Sequence, residues 1–449
     1  MKMLMLIALR NLTQAKWRTL FLGSALALVT WLLVLLMGLS QGISDNIIRS
    51  ATTLTTGHVN VAGFFKASPS QATPLVTDAP KVRELVERSA TGVDYVVSRQ
   101  RGWARVVSPT GALQSLLVGV DIADEPTLPD VLEMADPSEY LPEGREAKAG
   151  SGSVRALDGE NTAVIFATQA KRLEVGVGDR LTLRTQTMSG ASNTMDVTVV
   201  GVARDIGLLS NFSVFVPRKV VLDLYRLKPD TTGALQIYLE DIDRSKEVMA
   251  QVRAELEKDG YRLMEYQAAP FFAKFSTANG EDWIGQKIDL TIWEDEVDFL
   301  TWILTALDTV SFGLVAILVV IIAVGVMNTM WIAVRKRTTE VGTLRAIGMS
   351  RGRVLAMFLL EAAALGFVAS SVGAIFGAAV AAGVNAAEVR VPVDAMRAIL
   401  LSDTFTLSVT PTGLLGAVVM LTTFTTLSAL APAIRAASLQ PVEAIQTAE

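Results

Sequence analysis

The sequence predicts an α-helical membrane protein with four transmembrane helices plus a large mixed α/β extracytoplasmic domain between the first and second. Three observations carry this reading. Four long stretches contain no charged residue at all. Basic residues crowd the segments that flank those stretches on one side. The residues between the first and second stretches have the mixed composition of a water-soluble domain. The bulk numbers agree: 51% of the 449 residues are hydrophobic and 19% are charged, with a mean hydropathy of +0.41. Soluble chains carry about 25% charged residues.

No Asp, Glu, Lys or Arg falls between Arg18 and Asp45, between Asp308 and Arg335, between Glu361 and Glu388, or between Asp403 and Arg435. Each gap exceeds the roughly 20 apolar residues that a helix needs to cross a bilayer core. The spans are expected at 20–43, 306–334, 354–384 and 411–434. The first is too long for the hydrophobic part of a signal peptide, about 7–15 residues, and is expected to be retained.

Orientation follows from short basic flanks, which stay in the cytoplasm. Lys2, Arg10, Lys16 and Arg18 precede the first span with no acid among them. The 335–353 loop holds Arg335, Lys336, Arg337, Arg345, Arg351 and Arg353 against Glu340 alone, whereas the 385–410 loop has Arg390 and Arg397 against Glu388, Asp394 and Asp403. Residues 1–19, 335–353 and 435–449 are therefore expected inside, and 44–305 and 385–410 outside. The apolar start, MKMLMLIALRNL, is too short to span and is expected to lie on the cytoplasmic surface as an amphipathic helix.

The outside domain reads as alternating strands and helices. Strands are expected at His58–Ala62, Asp94–Val97, Leu113–Val120, Leu181–Thr185, Val197–Val202, Ser213–Val216 and Leu235–Leu239. Helices are expected at Pro80–Ala90, Pro217–Leu227 and Arg244–Asp259, the last ended by Gly260. The Pro-, Gly- and acid-rich stretch Ala123–Asn161 reads as a surface excursion dividing two lobes. Residues 279–308, acidic and proline-free, read as a helical stalk rising from the second span, with Trp293 and Trp302 near the interface.

Chemistry is narrowed mainly by exclusion. The chain has no cysteine and one histidine, His58. Disulfides, thiolate metal sites and a His-rich zinc site are excluded. No G-x-S-x-G or H-E-x-x-H pattern supports a catalytic outside domain, and no basic stripe suggests nucleic acid. His58 is expected to be structural. Gly373-x-x-x-Gly377 suits close helix packing within one subunit.

The most informative segment runs from Met327 to Ala362, MNTMWIAVRKRTTEVGTLRAIGMSRGRVLAMFLLEA. A short helix is expected at Thr339–Ile347, with Glu340 in its first turn and Arg345 in its last, as the helix dipole favours. Gly348 ends it in a left-handed conformation. Ser350 caps the next helix, and Val341, Leu344 and Ile347 are expected on one face. Glu361 is near the cytoplasmic headgroups, within reach of an arginine of this loop. Spacing alone takes the segment no further than a connector held at the membrane surface.

The segment resembles the coupling-helix region of the FtsX-like, or MacB/LolC/LolE-type, permeases of the type VII ABC transporter superfamily. The matching positions are Met327, Asn328, Arg337, Thr338, Glu340, Val341, Gly342, Arg345, Ala346, Gly348, Met349 and Leu360-Glu361-Ala362. Ala8–Thr19 is similar to the opening of that family, and Pro432–Ala437 with Pro441–Ile445 to its C-terminal motif. Gly57–Val61 and Leu173–Leu181 resemble strand entries of its outside domain, with Glu174 where glycine is usual.

The resemblance implies the permease subunit of an ABC transporter in the bacterial inner (cytoplasmic) membrane. The chain carries no G-x-x-x-x-G-K-[ST] phosphate loop, so it is expected not to be an enzyme itself. ATP and Mg are expected on a separate ABC ATPase dimer, with no cofactor on this chain. The implied ATPase-coupling residues are Arg337, Thr338, Glu340, Val341, Gly342, Leu344, Arg345, Ala346, Gly348 and Met349, with Glu361 supporting the coupling helix. A second permease copy or a sister permease would pair through spans one and two. By mechanotransmission, the outside domains would then move on a lipoprotein or other amphipathic cargo. A MacB-like efflux of peptides or drugs, with a periplasmic adaptor, and an FtsX-like regulator of a periplasmic enzyme are the alternatives.

Overall fold

The computed structural model describes residues 10, 16–69, 71–142, 150, 152–207, 210, 212–392, 400 and 404–438. Most of the expected amphipathic N-terminus and the Pro441–Ile445 motif lie outside these residues. In chain order the described α-helices longer than six residues are α1 (Lys16–Ala51), α2 (Ala79–Ser89), α3 (Ala167–Leu173), α4 (Arg218–Tyr225), α5 (Ser245–Lys258), α6 (Asp298–Lys336), α7 (Thr338–Ala346), α8 (Arg351–Ala386), α9 (Pro411–Ser428) and α10 (Leu430–Ser438). The strands are β1 (Val59–Ser68), β2 (Gln71–Pro74), β3 (Val93–Val107), β4 (Ala112–Val120), β5 (Thr162–Phe166), β6 (Arg180–Gln186), β7 (Ser192–Ala203), β8 (Ser213–Pro217), β9 (Ala234–Leu239) and β10 (Gly285–Ile292). The chain divides into two compact units, one of Met1–Asp45, Ile303–Val391 and Asp403–Glu449, the other of Asn46–Trp302 and Pro392–Ser402.

Among the described residues, four helical segments are long and apolar enough to cross a membrane: Thr19–Thr56, Thr301–Lys336, Arg351–Ala386 and Pro411–Ser438. Small residues let them approach closely. A Cβ on Gly373 would come within 2.3 Å of the Ala27 carbonyl oxygen, and one on Gly377 within 3.0 Å of Val34. The Gly373/Gly377 pair of α8 therefore packs against α1 of the same chain. Leu22 and Leu26 of α1, Val326 and Met330 of α6, Phe358 of α8 and Ala433 of α10 form the buried core. Phe312, Ile317 and Ile375 point outward, as lipid-facing side chains do.

The second unit is built on one ten-stranded sheet in the order β10-β1-β9-β3-β4-β8-β5-β7-β6, with β2 on β1 and β6 also pairing β3. The β3–β6 pairing closes β3, β4, β8, β5, β7 and β6 into a ring around Val106, Leu117, Ile165, Leu183, Val199 and Val214. The open part, β10-β1-β9 with the start of β3, packs on α2 and α5 through Val61, Val82, Val86, Ile237, Val252 and Leu290. Two lobes exist, and the long β3 is shared between them: Val93–Arg99 pairs β9 and Gln100–Val107 pairs β4.

Two expectations are corrected. Residues 123–161 do not divide the lobes as a surface excursion. Leu128, Leu132, Ala135, Tyr140 and Leu157 are buried, and the Ala135 amide donates to the Val202 carbonyl at 2.8 Å. Its Pro- and Gly-rich composition hid these scattered apolar anchors. Residues 279–308 are not a continuous helical stalk. Gly285–Ile292 is strand β10, antiparallel to β1, because Ile288, Leu290 and Ile292 alternate with Asp289 and Thr291 at a period of two. The helix begins at Asp298. Trp302 lies in its first turns and is exposed. The fully buried β5 was not expected, since an unbroken apolar run carries no alternation.

His58 sits in the second unit, where its Nδ1 accepts a hydrogen bond from the Leu239 amide at 2.9 Å. Burial pushes its pKa down from 6.5 to about 4, opposed by Asp94. The neutral ring therefore stabilises the fold above the unfolded pKa, and that contribution is lost as pH falls from 6.5 toward 4. At about 1.4 kcal/mol per unit this is worth up to about 3 kcal/mol. Melting temperature is expected to drop over that window, and His58→Asn, which keeps an acceptor, is expected to flatten the drop. An equal drop in both proteins would contradict the assignment.

Candidate functional site at the loop between the second and third spans

α6 does not run into α7. Arg337 interrupts them, with φ −110° and ψ 16°. The Thr338 hydroxyl turns back onto the last carbonyls of α6, donating to Val334 at 3.2 Å and Arg335 at 3.0 Å. This satisfies groups that a helix end leaves open. The freed guanidinium of Arg337 turns inward, where Nη1 donates to Glu361 Oε2 of α8 at 2.8 Å. Glu361 is only 3% exposed. Glu340, in contrast, lies 3.9 Å from Arg337 with a largely exposed side chain.

The far end of α7 is closed by the chain turning left-handed at Gly348, φ +106°. The Gly348 amide donates to the Arg345 carbonyl at 3.1 Å and the Met349 amide to the Leu344 carbonyl at 3.0 Å, the paired bonds of a Schellman end. Ser350 occupies the N-cap position of α8 in extended conformation, but its side chain makes no capping bond. Arg345 Nη1 donates to the Ala437 carbonyl at the end of α10, 2.7 Å away.

Val341 and Gly342 are buried, and Met349 packs against the same core. Thr339, Glu340, Thr343, Ala346 and Ile347 are exposed, Ile347 by 80%, while Leu344 and Arg345 are half-buried. Val341, Leu344 and Ile347 thus do not share one face. Six residues turn a helix by 600°, which places Ile347 about 120° from Val341. The structure brings together Arg337 with Glu361, and Arg345 with the last turn of α10. It also stacks the Arg435 guanidinium over the Trp331 ring, 5.2 Å from its centroid, a contact no local pattern signals. With Val334, Arg335 and Thr338 they line a cleft of about 310 Å³.

The arrangement is a short helix held from behind by an apolar residue and two arginines, with an open outer face. Comparison with known proteins gives it a family. Residues 20–257 match the MacB-like periplasmic core domain, and residues 312–441 match the FtsX-like permease C-terminal domain. The chain belongs to the FtsX-like, MacB-type ABC permeases. It is a four-helix membrane protein with a mixed α/β extracytoplasmic domain after the first helix.

Relatives of this permease include the macrolide export ATP-binding/permease protein MacB of Nitrobacter winogradskyi, 37% identical over 30% of this chain and 18% of that one. The ABC transporter permease YtrF of Bacillus subtilis is 42% identical over 16% of each chain. A MacB of Agrobacterium fabrum is 26% identical over 56% of this chain and 34% of that one. The matches thus span between 16% and 34% of each relative's length. Among solved structures, the extracellular domain of the transporter YknZ aligns with 51% of this chain and 98% of that one, at 14% identity and a TM-score of 0.29. Glu174 ends α3 with φ +51°, a left-handed position that favours glycine.

Proposed function

We propose that this permease is the membrane subunit of an ABC transporter whose ATPase is a separate polypeptide, and that α7 is where the ATPase dimer docks. The observation that carries this reading is the anchoring of α7. Val341, Arg337–Glu361 and Arg345–Ala437 fix its inner side, while Thr339, Glu340, Thr343, Ala346 and Ile347 stay open to a partner. A helix so held passes on a push instead of absorbing it. ATP and Mg2+ belong to the partner. Arg337, Thr338, Glu340, Val341, Gly342, Leu344, Arg345, Ala346, Gly348 and Met349 form the docking element, and Glu361 braces it.

In this reading both termini and the α7 loop face the cytoplasm, in line with the basic flanks. A second permease, identical or a sister chain, completes the membrane assembly. The cargo is an amphipathic molecule already in the outer leaflet, a lipoprotein being the leading class. The uncharged span interiors favour this, since they offer no charged group to line a polar pathway. A second reading, efflux of peptides or drugs with a periplasmic adaptor, is favoured by the MacB-like domain match. The test is a pull-down of the tagged full chain from native membranes in mild detergent, read by mass spectrometry. An ABC ATPase at near one-to-one ratio is expected. Its absence, under conditions that keep known ABC complexes intact, would overturn the reading.

A further inference from the structure

The open lobe of the extracytoplasmic sheet has two unlike faces. One is apolar and packs on α2 and α5. The other is polar and nonetheless buried, with Asn60 of β1, Arg99 of β3, Gln236 of β9, and Asp289 and Thr291 of β10. Burying such groups is costly unless each finds a partner. Arg99 pairs with Glu125 and Asp289 with Lys274, while Asn60, Gln236 and Thr291 bond to the roots of the first two membrane helices.

α1 ends in a five-residue π turn, Thr52–Thr56, largely buried. A helix end leaves carbonyls unpaired and carries partial negative charge. Here the sheet supplies the donors. Arg101 Nη2 and Gln236 Nε2 both donate to the Thr55 carbonyl, at 3.0 and 2.6 Å. The Tyr238 hydroxyl donates to the Thr52 carbonyl at 3.1 Å.

The root of the second helix is gripped by the same face. Glu296, just ahead of α6, accepts from Thr291 Oγ1 at 2.6 Å and from the Phe271 amide at 3.2 Å. Burial pushes its carboxyl upward, opposed by Arg101. Asn60 joins the two grips. Its Oδ1 accepts from Arg101 Nη2 at 3.1 Å, and its Nδ2 donates to Glu296 Oε1 at 3.3 Å. One amide thus connects the end of the first membrane helix to the start of the second, and fixes both to β1.

We propose that Arg101, Asn60 and Glu296 form a joint through which displacement of the first two membrane helices is delivered to the extracytoplasmic sheet as a rigid body. They are positioning residues, and the proposal rests on the permease reading above. An apolar seat would let the helix ends slide, because packing is not directional. Charge-assisted hydrogen bonds fix register as well as distance.

The chain lacks cysteine, so spin labels can be placed cleanly. The full permease, purified with the ATPase it captures and reconstituted in lipid nanodiscs, carries labels at Gly383→Cys and Lys258→Cys, both exposed positions. Pulsed electron–electron distances are compared without nucleotide and after vanadate trapping. The parent is expected to shift its mean distance. Asn60→Asp keeps the Arg101 contact but sets a carboxylate against Glu296, breaking the link. It is expected to lose the shift and at least double the distribution width, with ATP turnover continuing. Asn60→Asp with Glu296→Gln restores a donor to that position and is expected to recover the shift. Thermal melting of each variant separates loss of the joint from loss of the fold. A parent-like shift and width in Asn60→Asp would overturn the joint, and so would a folded double variant that fails to recover. No ATPase captured, or no shift in the parent, would instead overturn the permease reading.

Discussion

Glu361→Ala is expected to destabilise the membrane unit by about 3–5 kcal/mol, the cost of leaving one partner of a buried ion pair uncompensated. The Arg337–Glu361 bond is 2.8 Å, and the side chains are 13% and 4% exposed. Arg337 is also the residue at which the chain breaks between α6 and α7, so its release frees the base of α7. Limited proteolysis at the 335–353 loop should therefore accelerate along with the fall in melting temperature. The variant with both Arg337→Leu and Glu361→Leu removes the two charges together and is expected to regain most of the loss. Glu340→Ala is the contrast. That carboxylate is exposed and 3.9 Å from Arg337, so its removal should move stability by less than about 1 kcal/mol. Equal effects of Glu361→Ala and Glu340→Ala would contradict the assignment of the brace.

The second large effect is expected at the crossing of α1 and α8. A Cβ on Gly373 would meet the Ala27 carbonyl oxygen at 2.3 Å and Thr30 Cβ at 2.7 Å. The obstructing atoms include backbone, which cannot rotate away. Gly373→Leu must push the two helices apart, at a cost at or above the roughly 1–3 kcal/mol of an overpacked core. The expected result is a sharp loss of monodisperse protein in detergent and a lowered melting temperature. Gly383→Ala, in the same helix with nothing within 4 Å of the added methyl, should behave as the parent. A folded, parent-like Gly373→Leu would contradict the packing.

The four spans were legible because lipid imposes one rule over a long window: no charge between Arg18 and Asp45, and likewise in the other three. The strands with clean alternation, such as Leu235–Leu239, were legible for the same kind of reason. β10 was hidden because its acidic residues resemble a solvated helix, when Asp289 in fact pairs with Lys274 at 2.9 Å inside the fold. β5 was hidden because it is buried on both faces. In the loop, Gly348 and the order of Glu340 and Arg345 were readable from local helix chemistry. The Arg345–Ala437 and Trp331–Arg435 contacts were not, since each joins residues about a hundred positions apart. Glu361 was readable as a carboxylate near arginines, but spacing alone gave no means of choosing Arg337 among the five arginines of the loop.

The most direct test of the docking role of α7 is site-specific photo-crosslinking from Ile347, the exposed apolar residue at its tip. A photoreactive amino acid is placed at that position in the full chain, and native membranes are irradiated before solubilisation. The adduct is identified by mass spectrometry, with a matching probe at Trp103 in the extracytoplasmic domain as reference. A covalent adduct to an ABC ATPase from position 347 and none from position 103 is the predicted result. An ATPase captured by pull-down but never crosslinked from position 347 would contradict the assignment of α7 as its docking element.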